Sequence, residues 1–496
     1  MVQRSNVSGT AEPDLGGVVM VLVIIAALRV FHLLFLYPID LAPDEAQYWA
    51  WAQHPAFGYL SKPPLIAWAI AATTAVCGDA EGCVRLSSPL FQLGASLFVF
   101  GVGRRLFAPP EGALIGAASA IAFATLPGVF LSSVIASTDA PLLFFWAGGL
   151  YALVRALQGN SARWWALLGI FIGFGLMAKY AMAFFVLSLV LLAVVDREAR
   201  PKIVSKGGLA AIVIAALIVA PNILWNVANH FVTFAHTEAN ANLGGSLFHP
   251  NALLEFVGAQ FGVFGPIFFA ALLWIAVVRW RILVSAPYRL LAVFAAPPLV
   301  LMIVLSILSR SNANWAAPTY IAGTVLVVAV LIAERRRKLI TVSVVLHSVV
   351  AVAAFAVVIW AVARPGALPS WADPLKRLRS WDSYGRAVAQ VASAVPHAGF
   401  VFDDRPGLVE FLYYGPRPVE AWKWNSRGIN DHFDLTRNVA NAPNAPLVLV
   451  TESQEPSEVL ATFEHSEPIG GVRQVLGRGR ERAVKLFLVE GFKGYR

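Results

Sequence analysis

Two adjacent carboxylates, Asp44 and Glu45, stand in the stretch Pro43-Asp44-Glu45-Ala46-Gln47-Tyr48-Trp49, and a lysine follows in Tyr59-Leu60-Ser61-Lys62-Pro63-Pro64. Both stretches lie just after an apolar run, in a chain that otherwise avoids charge. Ionisable groups held beside a bilayer mark a reaction site, because partners or a ligand must offset their desolvation. On a helix, neighbouring residues point about 100° apart, so the two acids cannot act as an equivalent pair. One can serve as a base while the other holds the loop. After Pro43 they also read as acids in the first turn of a helix, favourably placed at its positive end.

Lys62 precedes two prolines that fix the backbone at the start of the next helix, where a mobile point charge can meet a phosphate. Lys179, in Met177-Ala178-Lys179-Tyr180 between two apolar runs, carries the same charge. For both, snorkelling to the interface is the alternative. Ser137-Thr138-Asp139-Ala140-Pro141 reads as a helix start with an acid in its first turn, and its position makes Asp139 a third acid candidate. His230, His236 and His249 share the 226–251 loop and are the possible metal ligands, although no His-Glu-x-x-His spacing accompanies them. Asn314 and Trp315 lie on the same side of the chain's inferred topology.

The elements that must position these groups are membrane helices. Of 496 residues, 58% are hydrophobic and 14% charged, outside the range of soluble domains. Apolar runs able to cross lie in 16–36, 86–103, 112–130, 138–155, 163–178, 180–195, 207–225, 255–278, 288–308, 317–333 and 339–362. The 63–76 run is too short and too rich in Ala and Thr, and is assigned to a re-entrant or interfacial helix. With a cytoplasmic N-terminus, Arg104 and Arg105, Arg155 and Arg163, 197–206, Arg279 and Arg281, and 335–338 all fall inside. Lys62, Arg85, Lys179 and Arg310 fall outside. This asymmetry supports eleven crossings. The net charge of +9 therefore consists largely of orientation signals, and nucleic-acid binding is excluded as a function class.

After Ala363 the composition turns polar up to Arg496. Strand-like runs Phe400–Phe402, Leu447–Thr451 and Val484–Val489 alternate with helix-like segments 382–394, 405–413 and 456–463. That pattern predicts a soluble α/β domain over 364–496, behind a membrane domain over 1–363 with a periplasmic catalytic loop at 38–64. Cys77 and Cys83 enclose a short Gly-containing turn able to bring two backbones within bridging distance. They pair if both face an oxidising compartment and stay reduced if they face the cytosol.

The motifs around Asp44 and Lys62 resemble those of the polyprenyl-phosphate-dependent glycosyltransferases of the GT-C fold. The branch concerned joins protein O-mannosyltransferases, the lipid A aminoarabinose transferase and the lipid A core galacturonosyltransferases (glycosyltransferase family 39 or 83 type). Thr138-Asp139-Ala140-Pro141-Leu142, Ala178-Lys179-Tyr180, Trp225-Asn226, Asn229-His230, Thr233-Phe234, Gly245-Ser246-Leu247 and Asn314-Trp315-Ala316-Ala317-Pro318 are similar too, so the resemblance covers roughly 16–335. It implies a multi-pass enzyme of the bacterial inner membrane, with its C-terminal domain in the periplasm. A sugar would move from a polyprenyl-phosphate carrier to an envelope glycolipid, lipid A or lipopolysaccharide core, with inversion by direct displacement.

By the same resemblance, Asp44 is the candidate base or acceptor-positioning acid, Lys62 and Lys179 bind carrier phosphate, and Tyr59 and Asp139 line the site, with Asn314 and Trp315 as further substrate-binding candidates. Where the aminoarabinose branch has a metal-ligating glutamate before the lysine, this chain has Ser61, which argues against a divalent metal. Protein O-glycosylation and a lipid-linked sugar flippase or transporter are the competing functions. A transporter would place its ionisable groups near the bilayer midplane, whereas these cluster at one mouth.

Overall fold

A computed structural model describes residues 15–37, 39–159, 161–241, 248–364, 367–369, 373, 375–376 and 378–495. The Gly245-Ser246-Leu247 piece, and Pro365, Gly366 and Arg496 around the polar region, lie outside the described residues. The chain divides into two compact units. The first comprises Met1–His32, Leu86–Asn229 and Thr237–Ala351; the second comprises Leu33–Arg85, His230–His236 and Val352–Arg496.

The first unit is helical. Its centre is the Thr319–Ala333 helix, buried on every face through Ile332, as a helix apolar all round must be. The Ser87–Leu106, Glu111–Thr125, Asp139–Gly159 and Ala162–Ala178 helices join it in the main core, together with residues of the Ala183–Val195, Pro266–Val278 and Ala286–Leu308 helices, and Trp146, Trp165 and Phe185 are fully enclosed there. The Lys206–Ala228 helix exposes Leu209, Ile212, Leu217 and Leu224, and these apolar side chains suit lipid better than water. Among the described residues, six helices are long and apolar enough to cross a bilayer, or seven with one bent pair, and five shorter apolar helices accompany them. The protein is a membrane protein.

The bent pair corrects one expected span. The run 255–278 is not a single helix but Pro250–Val263 followed by Pro266–Val278, bent by 118°. The cause is local. Pro266 cannot donate into a preceding turn, and Gly265 takes φ +84°, which ends the first helix. A Cβ on Gly265 would lie 1.9 Å from His347 Nε2, so the bend is also a close approach. The break between Ala178 and Tyr180 is of a different kind: Lys179 itself leaves helical geometry at φ −161°, ψ 134°.

The second unit contains the Pro43–Ala52 and Leu65–Cys77 helices and a five-stranded sheet. The strands are β1 (Phe400–Phe402), β2 (Ala421–Lys423), β3 (Leu447–Thr451), β4 (Phe463–Gly477) and β5 (Arg480–Phe492), in the order β2-β1-β3-β5-β4. The first three are parallel, while β5 runs antiparallel to β3 and forms a hairpin with β4. The α/β character follows the sequence, but β2 and β4 escape its pattern. β2 has only three residues, and β4 is mostly exposed, with no apolar run to reveal it. The helix expected over 456–463 shrinks to Ser457–Leu460, because Phe463 opens β4.

The segment 33–85 is fastened to this sheet domain. Leu41 N donates to the Tyr414 hydroxyl at 2.7 Å, Trp381 N donates to Asp40 at 2.7 Å, and Arg417 pairs with Asp79 at 2.5 Å. Cys77 and Cys83 are joined as a disulfide, with Cα atoms 5.9 Å apart.

Candidate active site

The Pro43–Ala52 helix begins where Pro43 supplies a preset φ and Glu45 reaches back to accept from Ala42 N at 2.9 Å. The same carboxylate receives Arg85 Nε at 2.8 Å and Nη2 at 2.7 Å, in a fork closed off from water. Arg85 also donates to the carbonyls of Ile39 and Asp40 at 3.0 and 2.9 Å. The catalytic role expected of Glu45 therefore gives way to an anchoring one: its oxygens are occupied.

Asp44, one step round the helix, points the other way. Its side chain is 66% exposed, and Oδ1 receives Arg405 Nη1 at 2.8 Å. Arg405 also donates to Gln47 Oε1 at 2.8 Å. Asp44 and Arg405 line a cavity of about 510 Å³, shared with Trp381, Lys376 and Arg482. Arg405 was not legible as a site residue. It opens the Arg405–Tyr414 helix, whose N-cap Asp404 accepts from Gly407 N at 2.6 Å. The Asp404-Arg405-Pro406-Gly407 spelling marks that helix start, but not that its arginine reaches back to Asp44.

Lys62 is half-buried, and its carbonyl accepts from Tyr59 N at 3.2 Å. It joins a positive neighbourhood. His236, on the Val232–Ala241 helix, is held below the usual histidine range by burial first, then by the charges of Lys62 and Arg405. His236 is therefore an uncharged neighbour of two cations rather than a third cation.

Tyr59 does not line an open site. Its ring is buried and stacked on Trp51 at 4.4 Å, and its hydroxyl accepts from Ala56 N at 3.0 Å and donates to Trp51 O at 3.1 Å. Burial pushes that hydroxyl up to about 12. Thr233 donates to the Tyr59 carbonyl at 2.9 Å, so the similar Thr233-Phe234 piece serves this loop. His432, also unforeseen, packs edge-on against both Trp51 and Tyr59 and accepts from Leu60 N at 3.4 Å through Nδ1. Burial lowers its pKa to about 4.

In the first unit a second charged centre forms. Lys179 Nζ meets Asp139 Oδ1 at 2.6 Å, and Asn314 Nδ2 meets Oδ2 at 2.6 Å. Asp139 is the first residue of its helix, Lys179 sits at the helix break, and Asn314 lies in the short Ala313–Ala316 turn. Both oxygens of Asp139 are engaged, Oδ1 by Lys179 and Oδ2 by Asn314. Asp139 and Asn314 line a cavity of about 330 Å³. Trp315 packs instead against the Phe256, Met302 and Ala316 cluster. Next to Lys179, the Tyr180 hydroxyl donates to Asn222 Oδ1 at 2.8 Å and accepts from Asn226 Nδ2 at 3.2 Å. The signal was the pair Asn222 and Asn226, one helical turn apart inside an apolar span.

The three candidate metal ligands do not form a donor set. His230 is exposed at a positive-φ position, His236 belongs to the Lys62 neighbourhood, and the backbone N of His249 bonds Ile307 O at 2.8 Å. Among the described residues no three His, Cys, Asp or Glu side chains converge in a way that would hold an ion, so the residues present do not fit a metal.

Residues 61–225 match the family described as dolichyl-phosphate-mannose-protein mannosyltransferase. The chain is 37% identical over 296 residues to the lipid A galacturonosyltransferase RgtD of Rhizobium johnstonii, covering 59% of this chain and 61% of that one. It thus spans about three fifths of that relative's length. Over 227 residues, 42% of this chain and 38% of the other, it is 30% identical to undecaprenyl phosphate-alpha-4-amino-4-deoxy-L-arabinose arabinosyl transferase 1 of Pseudomonas fluorescens.

ArnT from Cupriavidus metallidurans in its apo state superposes with a TM-score of 0.65, covering 95% of this chain and 98% of that chain at 17% identity. Its form bound to undecaprenyl phosphate gives 0.64, covering 96% and 98% at 16% identity. These superpositions define the class: an α-helical membrane protein of the GT-C fold with a small C-terminal sheet domain. Within that class the chain is similar to the glycosyltransferases that its Asp44 and Lys62 motifs resemble.

Two outcomes follow from this geometry. Removing one partner of the enclosed Glu45–Arg85 pair strands a buried charge, which costs about 3–5 kcal/mol. Glu45→Ala should therefore lower the unfolding midpoint of the purified full-length protein far more than Asp44→Ala, and equal midpoints would contradict the anchor. The second concerns pH. His432 has a folded pKa of about 4 against an ordinary 6.5, so its contribution to stability is complete above about pH 6.5 and is lost as pH falls toward 4. The stability difference between the native protein and His432→Phe should shrink over that window by at most about 3 kcal/mol. A pH-independent difference would show that the ring is not held neutral.

Proposed function

We propose that this chain is a glycosyltransferase of the bacterial inner membrane. It moves a sugar from a polyprenyl-phosphate carrier to an envelope glycolipid, lipid A or lipopolysaccharide core, on the periplasmic face. The observation that carries this reading is Asp44, whose Oδ1 is engaged by Arg405 and whose largely exposed side chain lines a cavity, beside the cationic neighbourhood of Lys62 and Arg405. The relatives named for lipid A galacturonosyl transfer and for an undecaprenyl-phosphate sugar donor support the substrate classes. So does the neighbour bound to undecaprenyl phosphate.

Such a reaction needs little equipment. An acceptor hydroxyl attacks the anomeric carbon, its proton passes to Asp44, and the bond to phosphate breaks with the electron pair leaving on phosphate. Lys62 and Arg405 neutralise the charge that develops there. The assignment of Lys179 to phosphate binding rests on its Ala178-Lys179-Tyr180 motif; its ammonium is paired with Asp139. The polyprenyl phosphate is already a leaving group, so no nucleotide loop or metal is called for in this scheme. The match to the protein mannosyltransferase family favours, as a second reading, a protein hydroxyl as acceptor.

The domain plan we assign is a membrane domain over 1–363, with eleven crossings and a re-entrant or interfacial helix at 63–76, and a periplasmic domain over 364–496. The loop charges and the Cys77–Cys83 disulfide both support a periplasmic position for the 38–85 segment. A phosphatase fused after Arg496 should be active in whole cells. Fluorescence from a cytoplasm-dependent fusion at the same point would reverse the topology.

Mass spectrometry of envelope glycolipids from cells with and without the protein should reveal one missing sugar. Asp44→Asn should leave the protein inserted and able to hold donor lipid while turnover falls by about 10²–10⁴, the share of a general base. Lys62→Ala should weaken donor binding as well as turnover, since phosphate is contacted before and during the reaction. Normal turnover in purified Asp44→Asn would remove Asp44 as base, and an unchanged glycolipid profile would remove the acceptor class.

A further inference from the structure

The sheet domain contains a cavity that none of this chemistry uses. The strand order β2-β1-β3 reverses direction at β1 and β3, and in parallel sheets of this kind ligands bind outside the carboxyl ends of the strands at such a reversal. A cavity of about 310 Å³ lies there. Asp403 enters it from the end of β1, Lys423 and Trp424 from the end of β2, and Ser453 from just beyond β3. Its size is at the lower end of the roughly 300–1,000 Å³ of small-molecule sites.

The chemistry of the wall is selective. Asp403 Oδ2 accepts from Thr451 Oγ1 at 2.5 Å, but Oδ1 is shielded from solvent and has no hydrogen-bond partner. A native structure rarely leaves a buried carboxylate oxygen unpaired without a use for it. The Lys423 ammonium donates to the carbonyls of Asp403 and Trp424 at 2.8 and 3.0 Å and not to Oδ1. Around Asp403 stand the side chains of Arg427, Asn430 and Glu455, which make no hydrogen bond or ion pair among the described residues. Trp424 adds an apolar wall.

Separate acceptors and donors beside an aromatic wall match a ring carrying several hydroxyls. Three carboxylates, Asp403, Glu455 and Glu458, against the charges of Lys423 and Arg427 leave the wall net negative, which disfavours a phosphate, and among the described residues no three His, Cys, Asp or Glu side chains converge to hold a cation.

We propose that this cavity binds a saccharide unit of the glycolipid acceptor, with Asp403 accepting from ring hydroxyls and Arg427 and Asn430 completing the contacts. Assigning the sugar to the acceptor rests on the proposed transferase function; the binding itself does not. Two connections tie the cavity to the reacting loop. Asp403 lies two residues before Arg405, which holds Asp44. The segment Trp424–Asn430 runs into His432, which packs on Trp51 and Tyr59. A sugar held in the cavity therefore sits on the same two segments that set the loop carrying Asp44 and Lys62.

The test uses full-length protein in nanodiscs, with the acyl-free β-1,6-linked glucosamine disaccharide as probe and free galacturonic acid as the donor-type competitor. Saturable disaccharide binding is expected, with a dissociation constant in the range of about 1 mM typical of weak ligands. The exposed-residue variants Arg427→Ala and Asn430→Ala should each weaken it about fivefold, the effect of one hydrogen bond, at an unchanged unfolding midpoint. Asp403→Asn should weaken it further.

Loss of saturation in the native protein, equal binding by all variants, or displacement by galacturonic acid but not by more disaccharide would overturn the assignment. In transfer assays the same variants should raise the acceptor KM and leave kcat unchanged. Binding that follows this pattern in a protein with no transfer activity would count against the proposed function and not against the cavity.

Discussion

The arrangement rests on one enclosed ion pair. Arg85 and Glu45 meet in a two-pronged fork at 2.7 and 2.8 Å, with side chains 1% and 4% exposed. Two charges taken out of water cost several kcal/mol each, and that cost is recovered only if every donor and acceptor is satisfied. Most of that requirement is met here: four of the five guanidinium N–H groups are used, two of them on the Ile39 and Asp40 carbonyls, and the carboxylate also caps the helix at Ala42 N. The pair fixes the start of the Pro43–Ala52 helix against the end of the disulfide-closed segment. Glu45 is buried while Asp44, about 100° round the helix, faces outward. The anchor thereby holds the helix start from which Asp44 projects.

The two charged centres solve the same problem by opposite means. Asp44 keeps a free oxygen, because Arg405 takes only one and the side chain stays largely exposed. Asp139 keeps none, since Lys179 and Asn314 take one each. The first carboxylate leaves one oxygen open, whereas the second is held on both sides and itself holds a lysine. The distinction is made by partners, since both acids stand in the first turn of a helix.

The sheet domain contributes more than bulk. It supplies Arg405 to Asp44, Tyr414 to Leu41, and His432 to the Trp51 and Tyr59 stack. His432 does this as a neutral ring, which is why it can be packed among aromatics and accept from Leu60 N without a counter-ion. The loop bearing Lys62 is thus shaped by aromatic packing and backbone hydrogen bonds, which leave the lysine as its charged element.

The sequence by itself determined a helical membrane protein with a C-terminal α/β domain, and it pointed to Asp44, Lys62, Asp139, Lys179 and Asn314. Those features are written locally: apolar runs long enough to matter, charges out of place beside them, and prolines that fix helix starts. It also located β1 and β3 residue for residue, because they are short apolar runs bounded by turn formers.

Tertiary structure alone decided which acid would be buried, since Asp44 and Glu45 look alike until Arg85 chooses one of them. It alone supplied Arg405 and His432, which lie more than three hundred residues along the chain from the groups they touch. It also withdrew Tyr59 from the open site and bent the 255–278 run at Gly265. Periodicity and propensity report what a segment can do with its neighbours in sequence, whereas the partner of a charge is fixed only when distant segments are brought into contact.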